Sequence, residues 1–375
     1  MSRTGRHGTR SSGASPIHAA LVTASILFGL IGLTSCKESG SGQPTQGGAA
    51  PSPGGNGSSP GTRLTPAQIE DALVAASRYV EQGEPVKAEI ILADLVTKAP
   101  GLSRAHELLG KAAFHQAAKA EQGGDEHEAR RLYAAAADHY DEAVRLDAMS
   151  AGLACSAGEI AIRAGRVERA IEHLRAAGRL DPADPRAPML EASMLLTLRR
   201  IPEARTAIDR AFALDPDEPY ILATLAAVLA EEGDQPAALR TIRQARGLAP
   251  ASLQTAFRAL EAKFLRQSGE PAKALELLLP LSPAVQQEES VTTEIAAAYA
   301  ALGQPDRAAE VWVRRYESTR DWRAAVEVAR YAAKAGLMDE AWRWHRTVQM
   351  TLGDHHVVKS LAEELRQAPG QAGGG

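Results

Sequence analysis

The sequence predicts an all-α fold, a stack of about eight helical hairpins closed by a C-terminal helix. Apolar residues recur with a fixed period of 34 residues through the middle of the chain. Only 4% of the 375 residues are aromatic although 45% are hydrophobic, so the helices are expected to pack through small side chains. Proline recurs at the end of the period, where a helix interior cannot continue. A period of this length is typical of repeat architectures.

The N-terminal segment has the features of a secretory signal. Arg3, Arg6 and Arg10 precede an uncharged apolar run that extends from Ala19 to Leu33. As a helix this run would span about 22 Å, which is shorter than a membrane-spanning helix prefers. We therefore interpret residues 1–35 as a signal peptide. An uncleaved signal anchor is the alternative, and either interpretation directs the rest of the chain outside the cytoplasmic membrane.

The apolar run ends in Leu33-Thr34-Ser35-Cys36, which resembles the bacterial lipobox. The resemblance implies that Cys36 is acylated and becomes the mature N-terminus, anchoring the chain to a membrane through lipid. Cys155 would then be a lone thiol, expected to be a small buried hydrophobe. Because Lys37 and not Asp follows Cys36, the resemblance favours the outer over the inner membrane, with the chain facing the periplasm.

A linker follows the predicted lipidation site. The 24 residues from Ser39 to Thr62 carry no charge and are rich in Gly, Ser and Pro. Such a composition cannot bury enough apolar surface to offset its ordering entropy. We therefore predict a flexible linker over residues 36–63, with a reach of about 25 to 30 Å. Residues 368–375 are likewise predicted to be a disordered tail.

The repeat array is predicted over residues 64–367. It begins with Thr65-Pro66-Ala67-Gln68, a capping-box pattern with proline at the first helical position. The alanine, the bulky residue four positions later and the alanine three positions after that lie on one helical face. Four registers keep the 34-residue period: Ala136, Ala170, Ala204 and Ala238; Tyr140, Leu174, Ile208 and Ile242; Ala143, Ala177, Ala211 and Ala245; and Ala148, Pro182, Pro216 and Pro250. Each unit is thus predicted to be a helical hairpin.

This pattern resembles the tetratricopeptide repeat. In the best unit the family positions 8, 20, 24, 27 and 32 are filled by Gly158, Ala170, Leu174, Ala177 and Pro182. The next two units have alanine at position 8, and the family's tryptophan at position 4 is absent. The resemblance implies a right-handed superhelical solenoid.

Weaker units extend the array on both sides. The second unit has 14 extra residues between Gly110 and Ala136, which are predicted to lengthen both of its helices around Gly123. The segment from His355 to Gln367 is predicted to be the solvating end helix that such arrays need.

Catalytic and metal-binding spacings are absent from the sequence. There is no His-Glu-x-x-His, P-loop or Cys-x-x-Cys pattern, and one Gly-x-Ser-x-Gly match at Gly57–Gly61 lies in the linker. The adjacent His355 and His356 diverge on a helix and cannot readily share a metal. We therefore expect no enzyme activity, no cofactor and no metal. A net charge of −4 and a pI near 6.2 argue against a nucleic-acid partner.

The family resemblance also implies a partner-binding groove, lined by positions 2, 5, 9 and 12 of each first helix. Carried over, these positions give Cys155, Glu159 and Ile162 together with Gly152; Arg186, Met189, Ser193 and Leu196; and Tyr220, Ala223 and Ala227 together with Ala230. The Lys, Arg and Asn clamp of chaperone-binding members is missing. An apolar strip of this kind suits an extended or helical protein segment. In the alternative interpretation the alanines only allow close helix packing.

The four tryptophans lie close together near the C-terminus. Trp342 and Trp344 are about 200° apart on a helix, so they cannot both face one core. Trp322, Trp342 and Trp344 are a candidate aromatic hot spot for a partner. Covering of these rings by the end helix is the alternative.

These features predict a lipid-anchored scaffold or adaptor that binds protein segments to assemble or stabilise a cell-envelope complex. Similar lipoproteins include pilotin-like factors for secretin or pilus assembly and adaptors for cell-wall synthases. The alternative function is a polysaccharide-export or glycan-binding module, in which exposed tryptophans stack on sugar rings. The partner's identity and the oligomeric state are left open by the sequence.

Overall fold

The computed structural model describes residues 64–123 and 125–368, and this part of the chain contains eighteen α-helices, one short 3-10 turn and no strand. The predicted signal peptide, Cys36, the linker and residues 369–375 lie outside it. The helices are α1 (Pro66–Glu81), α2 (Pro85–Lys98), α3 (Ser103–Gln122), α4 (Glu126–Leu146), α5 (Ala151–Arg163), α6 (Val167–Leu180), α7 (Arg186–Thr197), α8 (Ile201–Leu214), α9 (Pro219–Glu231), α10 (Gln235–Leu248), α11 (Gln254–Gln267), α12 (Pro271–Leu278), α13 (Pro283–Gln286), α14 (Glu289–Ala301), α15 (Pro305–Thr319), α16 (Trp322–Lys334), α17 (Met338–Leu352) and α18 (His356–Gln367).

Consecutive helices pack in pairs, and the described residues form eight such hairpins. The pairs are α1–α2, α3–α4, α5–α6, α7–α8, α9–α10, α11–α12, α14–α15 and α16–α17. Helix α18 packs on α17 and α16 as the end helix. The all-α stack predicted from the 34-residue period is thereby confirmed.

Small residues hold the two helices of a hairpin together. Ala136, Ala170, Ala204 and Ala238 are fully buried, and the bulky residues four positions later are also buried. A Cβ atom added to Gly158 would lie 2.7 Å from Cγ of Leu174, which is too close for two non-bonded carbon atoms. The glycine at position 8 therefore makes room for the large side chain of the second helix.

The helix ends follow the sequence signals. Helix α1 starts with the predicted capping box, in which the Gln68 amide donates to Oγ1 of Thr65 and the Thr65 amide donates to Oε1 of Gln68, at 3.3 and 2.8 Å. Helix α6 ends at Leu180, two residues before Pro182, as the missing amide hydrogen of proline requires.

The turns inside the hairpins repeat one backbone conformation. Six of them place a glycine at positive φ, at Gly83, Gly165, Gly233, Gly269, Gly303 and Gly336. In the α7–α8 hairpin the corresponding residue is Arg199, with φ of 59°. A side chain with a Cβ atom is strained there, because the left-handed region costs it about 1 to 2 kcal/mol.

The chain divides into two compact units. Within the described residues the first unit comprises residues 64–215 with α1–α8, and the second comprises residues 216–368 with α9–α18. In the first unit, α3 and α4 have 20 and 21 residues. The other helices of that unit have 12 to 16 residues, so the extra residues of the second repeat lengthen both helices as predicted.

Candidate functional site

The predicted groove residues of the first unit differ in their access to solvent. We call these seven residues of α5 and α7 the groove strip: Cys155, Glu159, Ile162, Arg186, Met189, Ser193 and Leu196. Cys155, Met189 and Ser193 are buried, whereas Glu159, Ile162, Arg186 and Leu196 are half-buried. Only these four half-buried side chains are accessible to a partner, so the accessible surface is smaller than the seven sequence positions indicate. Binding at the strip stays a prediction.

Arg186 and Asp184 form a fixed ion pair at the start of α7. Nε and Nη2 of Arg186 donate to the Asp184 carboxylate at distances of 2.6 to 3.1 Å. The backbone amide of Arg186 donates to Oδ1 of Asp184 at 2.9 Å. Burial alone would raise the pKa of Asp184, but the hydrogen bonds from Arg186 outweigh burial and lower it. The guanidinium is thus bonded to this carboxylate by more than one hydrogen bond.

Glu159 lies near that pair on the neighbouring first helix, α5. Burial raises the pKa of its carboxyl group above the ordinary value. The charge of Arg186 acts to lower this pKa, and the charge of Asp184 acts to raise it. The strip is therefore not purely apolar, since it carries a carboxylate in a partly desolvated position.

In the second unit the predicted groove residues are on α9. Tyr220 is half-buried, and its ring packs on Phe257 of α11 with ring centroids 5.9 Å apart. Burial raises the pKa of the Tyr220 hydroxyl. Ala223 and Ala227 are buried, so their small side chains fill helix contacts. Of the three, Tyr220 has the most accessible side chain.

Charged first-helix residues of the second unit were not among the predicted site residues. Lys263 of α11 is half-buried, and burial lowers the pKa of its ammonium group. Nε of Arg266, one turn further on, donates to Oε2 of the buried Glu294 on α14 at 3.1 Å. The family register could have identified Lys263. This residue occupies position 9 of the α11–α12 repeat, as Glu159 does in the α5–α6 repeat.

Buried glutamates elsewhere connect consecutive helices. Nε of Arg175 on α6 and Nη2 of Arg210 on α8 each donate to Glu191 on α7 at 2.6 Å. In the second unit Arg243 and Arg246 of α10 flank Glu261 of α11 at 2.8 and 3.0 Å. Each of these carboxylates is thus neutralised by two arginines of the chain and has a structural role, which the sequence period did not reveal.

The candidate aromatic hot spot is half-buried. Trp322, Trp342 and Trp344 all pack at the edge of an apolar cluster that includes Val358, Leu361 and Leu365 of α18. Trp344 also meets Tyr316 edge to face, with centroids 5.0 Å apart. Trp312 is buried in a neighbouring cluster. The end helix thus shares a core with these rings, and their use by a partner stays a prediction.

Further features bear on chemistry and on membranes. Within residues 64–123 and 125–368 no group of three or more His, Cys, Asp and Glu side chains is placed to hold a metal ion. His355 caps α18, its ring accepting the Val357 amide at 3.3 Å. None of the helices in this part of the chain is both long and apolar enough to span a bilayer.

Two family profiles described as tetratricopeptide repeat match the chain, one over residues 161–228 and the other over residues 121–185. Residues 121–228 contain tetratricopeptide repeats. The matched stretches include α5–α8, the helices that carry the groove strip. No curated protein matches this chain.

One solved structure shows the same fold, and two others are similar to this chain at lower TM-scores. A tetratricopeptide repeat protein from Parabacteroides merdae is 14% identical and has a TM-score of 0.55, with 80% of this chain and 98% of that chain covered. Cut9–Hcn1 of the APC/C is 17% identical with a TM-score of 0.49, and 71% of this chain matches 49% of that one. This chain thus spans about half the length of that protein. PilF of Pseudomonas aeruginosa is 15% identical with a TM-score of 0.45, covering 61% of this chain and 96% of PilF.

Proposed function

We propose that this tetratricopeptide-repeat chain is a lipid-anchored scaffold or adaptor of the cell envelope. It binds a protein segment at the groove strip and thereby helps to assemble or stabilise an envelope complex. The observation that carries this proposal is the pair of neighbouring first helices, α5 and α7, with half-buried side chains such as Ile162 and Leu196 on the predicted binding positions. A repeat array offers such a surface without needing catalytic groups.

The membrane part of the proposal depends on Cys36. Signal, lipobox and uncharged linker follow one another in the order that a tethered periplasmic module requires. Labelling cells with a radioactive fatty acid tests this. The wild type is expected to carry label and to sediment with membranes, and Cys36→Ser is expected to lose both. An unlabelled wild type would contradict lipid anchoring.

Photo-crosslinking in living cells tests the binding part. A photoreactive amino acid replaces Ile162 or Leu196 in the groove strip, and a matched control replaces Ile90, which is 68% exposed on the second helix α2. Mass spectrometry of the crosslinked bands is expected to show one protein shared by positions 162 and 196. The same protein crosslinked equally from position 90 would contradict the choice of surface.

The alternative, a glycan-binding module, is tested with the same chain. Sugar rings stack on open aromatic faces, whereas Trp322, Trp342 and Trp344 share their faces with the core of the second unit. Quenching of tryptophan fluorescence by envelope polysaccharide, lost in Trp342→Ala, would favour this alternative over a protein scaffold.

A further inference from the structure

Glutamates on the first helices of the hairpins follow a pattern that has one exception. Wherever such a carboxylate is buried or half-buried, a basic side chain normally forms an ion pair with it. Glu107 pairs with Arg104 and Lys111, and Glu327 pairs with Arg330. The buried glutamates described above pair with arginines in the same way. Glu159 is the exception among the described residues, because its carboxylate makes no hydrogen bond and no ion pair with them.

The cation whose charge acts on Glu159 is bonded to another carboxylate. Arg186 lies close enough for its charge to lower the pKa of Glu159, but its guanidinium group is bonded to Asp184. The negative charge of Asp184 raises the pKa of Glu159 and so opposes the effect of Arg186. A partly desolvated carboxylate without a donor loses free energy relative to one in water. That cost is recovered when a bound molecule supplies the missing donor.

The surroundings of Glu159 define what such a molecule must look like. Ile162 is half-buried and lies three residues further on α5, so it shares a helical face with Glu159. Leu196 takes the position of Ile162 on α7, which contacts α5. The strip thus offers two accessible aliphatic side chains, Ile162 and Leu196, in addition to the carboxylate and the Arg186–Asp184 pair. An occupant that matches them presents a cationic group next to apolar side chains.

We propose that Glu159 binds a lysine or arginine side chain of the partner segment, while Ile162 and Leu196 contact apolar residues beside it. This inference rests on the proposed function, because it assumes that the groove strip binds a protein segment. The occupant is a segment of a second protein whose cationic side chain complements the carboxylate. In this chain the stretch from Ser39 to Thr62 and residues 369–375 contain no basic side chain, and Lys37 and Arg63 lie at the two ends of that stretch.

Peptide selection tests the inference without knowing the partner. A phage-displayed library of 12-residue peptides is panned on the full-length protein in detergent, as wild type, Glu159→Gln and Glu159→Lys. Glu168→Gln is the matched control, because Glu168 is exposed on the second helix α6. Peptides from the wild type and the control are expected to be enriched in Lys and Arg beside apolar residues. The enrichment should vanish with Glu159→Gln and turn to Asp and Glu with Glu159→Lys.

One selected peptide is then labelled, and its binding is measured by fluorescence anisotropy. Glu159→Gln is expected to weaken binding about tenfold, as is replacement of the basic peptide residue by norleucine, with little further loss when the two changes are combined. Unchanged circular dichroism spectra exclude misfolding as the cause.

Two results would overturn the inference, and they differ in what they say about the proposed function. Selected peptides that need Ile162 and Leu196 but bind Glu159→Gln as tightly as the wild type would refute the basic anchor and leave the groove intact. Failure to select any peptide whose binding falls with Ile162→Ser or Leu196→Ser would refute the groove itself, and the anchor with it.

Discussion

The carboxylate of Glu191 is held by two arginines, and removing them one at a time or together should have different effects. Its side chain is 5% exposed, while those of Arg175 and Arg210 are 40% and 53% exposed. After Arg175→Ala or Arg210→Ala, the remaining arginine still neutralises the buried charge. We therefore expect each single change to lower the free energy of unfolding by only about 1 kcal/mol.

The double change leaves a buried carboxylate without a partner, and its cost is expected to be larger than the sum of the singles. Loss of all partners from a buried charge costs about 3 to 5 kcal/mol. The coupling energy of the double-mutant cycle is therefore about 1 to 3 kcal/mol. Adding Glu191→Leu should recover much of the loss, because an apolar side chain has no charge to desolvate.

Urea unfolding followed by far-UV circular dichroism measures these differences. Arg179→Ala is the control, since Arg179 is exposed on the same helix α6 and no ion pair of the described chain involves it. That change should shift stability by less than about 0.5 kcal/mol. Additive losses from the two arginines, or a double variant no weaker than a single, would refute the account of Glu191 as a shared structural charge.

Three further predictions follow from the same structure and use the same unfolding measurement. Arg199→Gly should raise the free energy of unfolding by about 0.5 to 1 kcal/mol. Glycine removes the strain of the left-handed backbone, and this gain exceeds the loss from glycine's greater conformational entropy in the unfolded chain. A lower free energy of unfolding would contradict strain at this turn. Gly158→Ala should lower stability by about 1 to 3 kcal/mol through its clash with Leu174, and should cost much less in a Leu174→Ala background. Glu159→Gln should be at least as stable as the wild type at pH 7, because a raised pKa means that the folded state disfavours the ionised carboxyl. Its advantage should shrink as the pH falls toward 4.5, the ordinary pKa of glutamate, and a constant difference across this range would contradict the shift.

The repeat period was sufficient to predict the hairpins because each register position has one physical task. Ala170 and Leu174 are buried as their spacing required, and Pro182 follows the end of α6. The short helix α13, Pro283–Gln286, was not predicted, since it lies outside the repeat pattern and its start is set by a local cap from Ser282.

The candidate site was predicted less completely, because register places a residue on a face but does not fix its depth. Cys155 and Glu159 were assigned to the same groove, yet one is buried and the other half-buried. The ion pair of Arg186 with Asp184 depends on the geometry of the turn before α7, which no spacing in the sequence encodes. The lack of a donor for Glu159 could be seen only once every neighbouring side chain had a position.

The long α3–α4 hairpin has a consequence for how the chain finds its fold. Similar repeats can stack one place out of step at little energetic cost, which gives a repeat protein many competing arrangements. The helices α3 and α4 have 20 and 21 residues, more than any other helix of the first unit. If this long hairpin stacked in the position of another repeat, the shorter neighbouring helices would leave part of its apolar face uncovered. The insertion thus makes the second repeat different from the others, and a stack that is displaced by one repeat is less stable because the long hairpin is then mismatched.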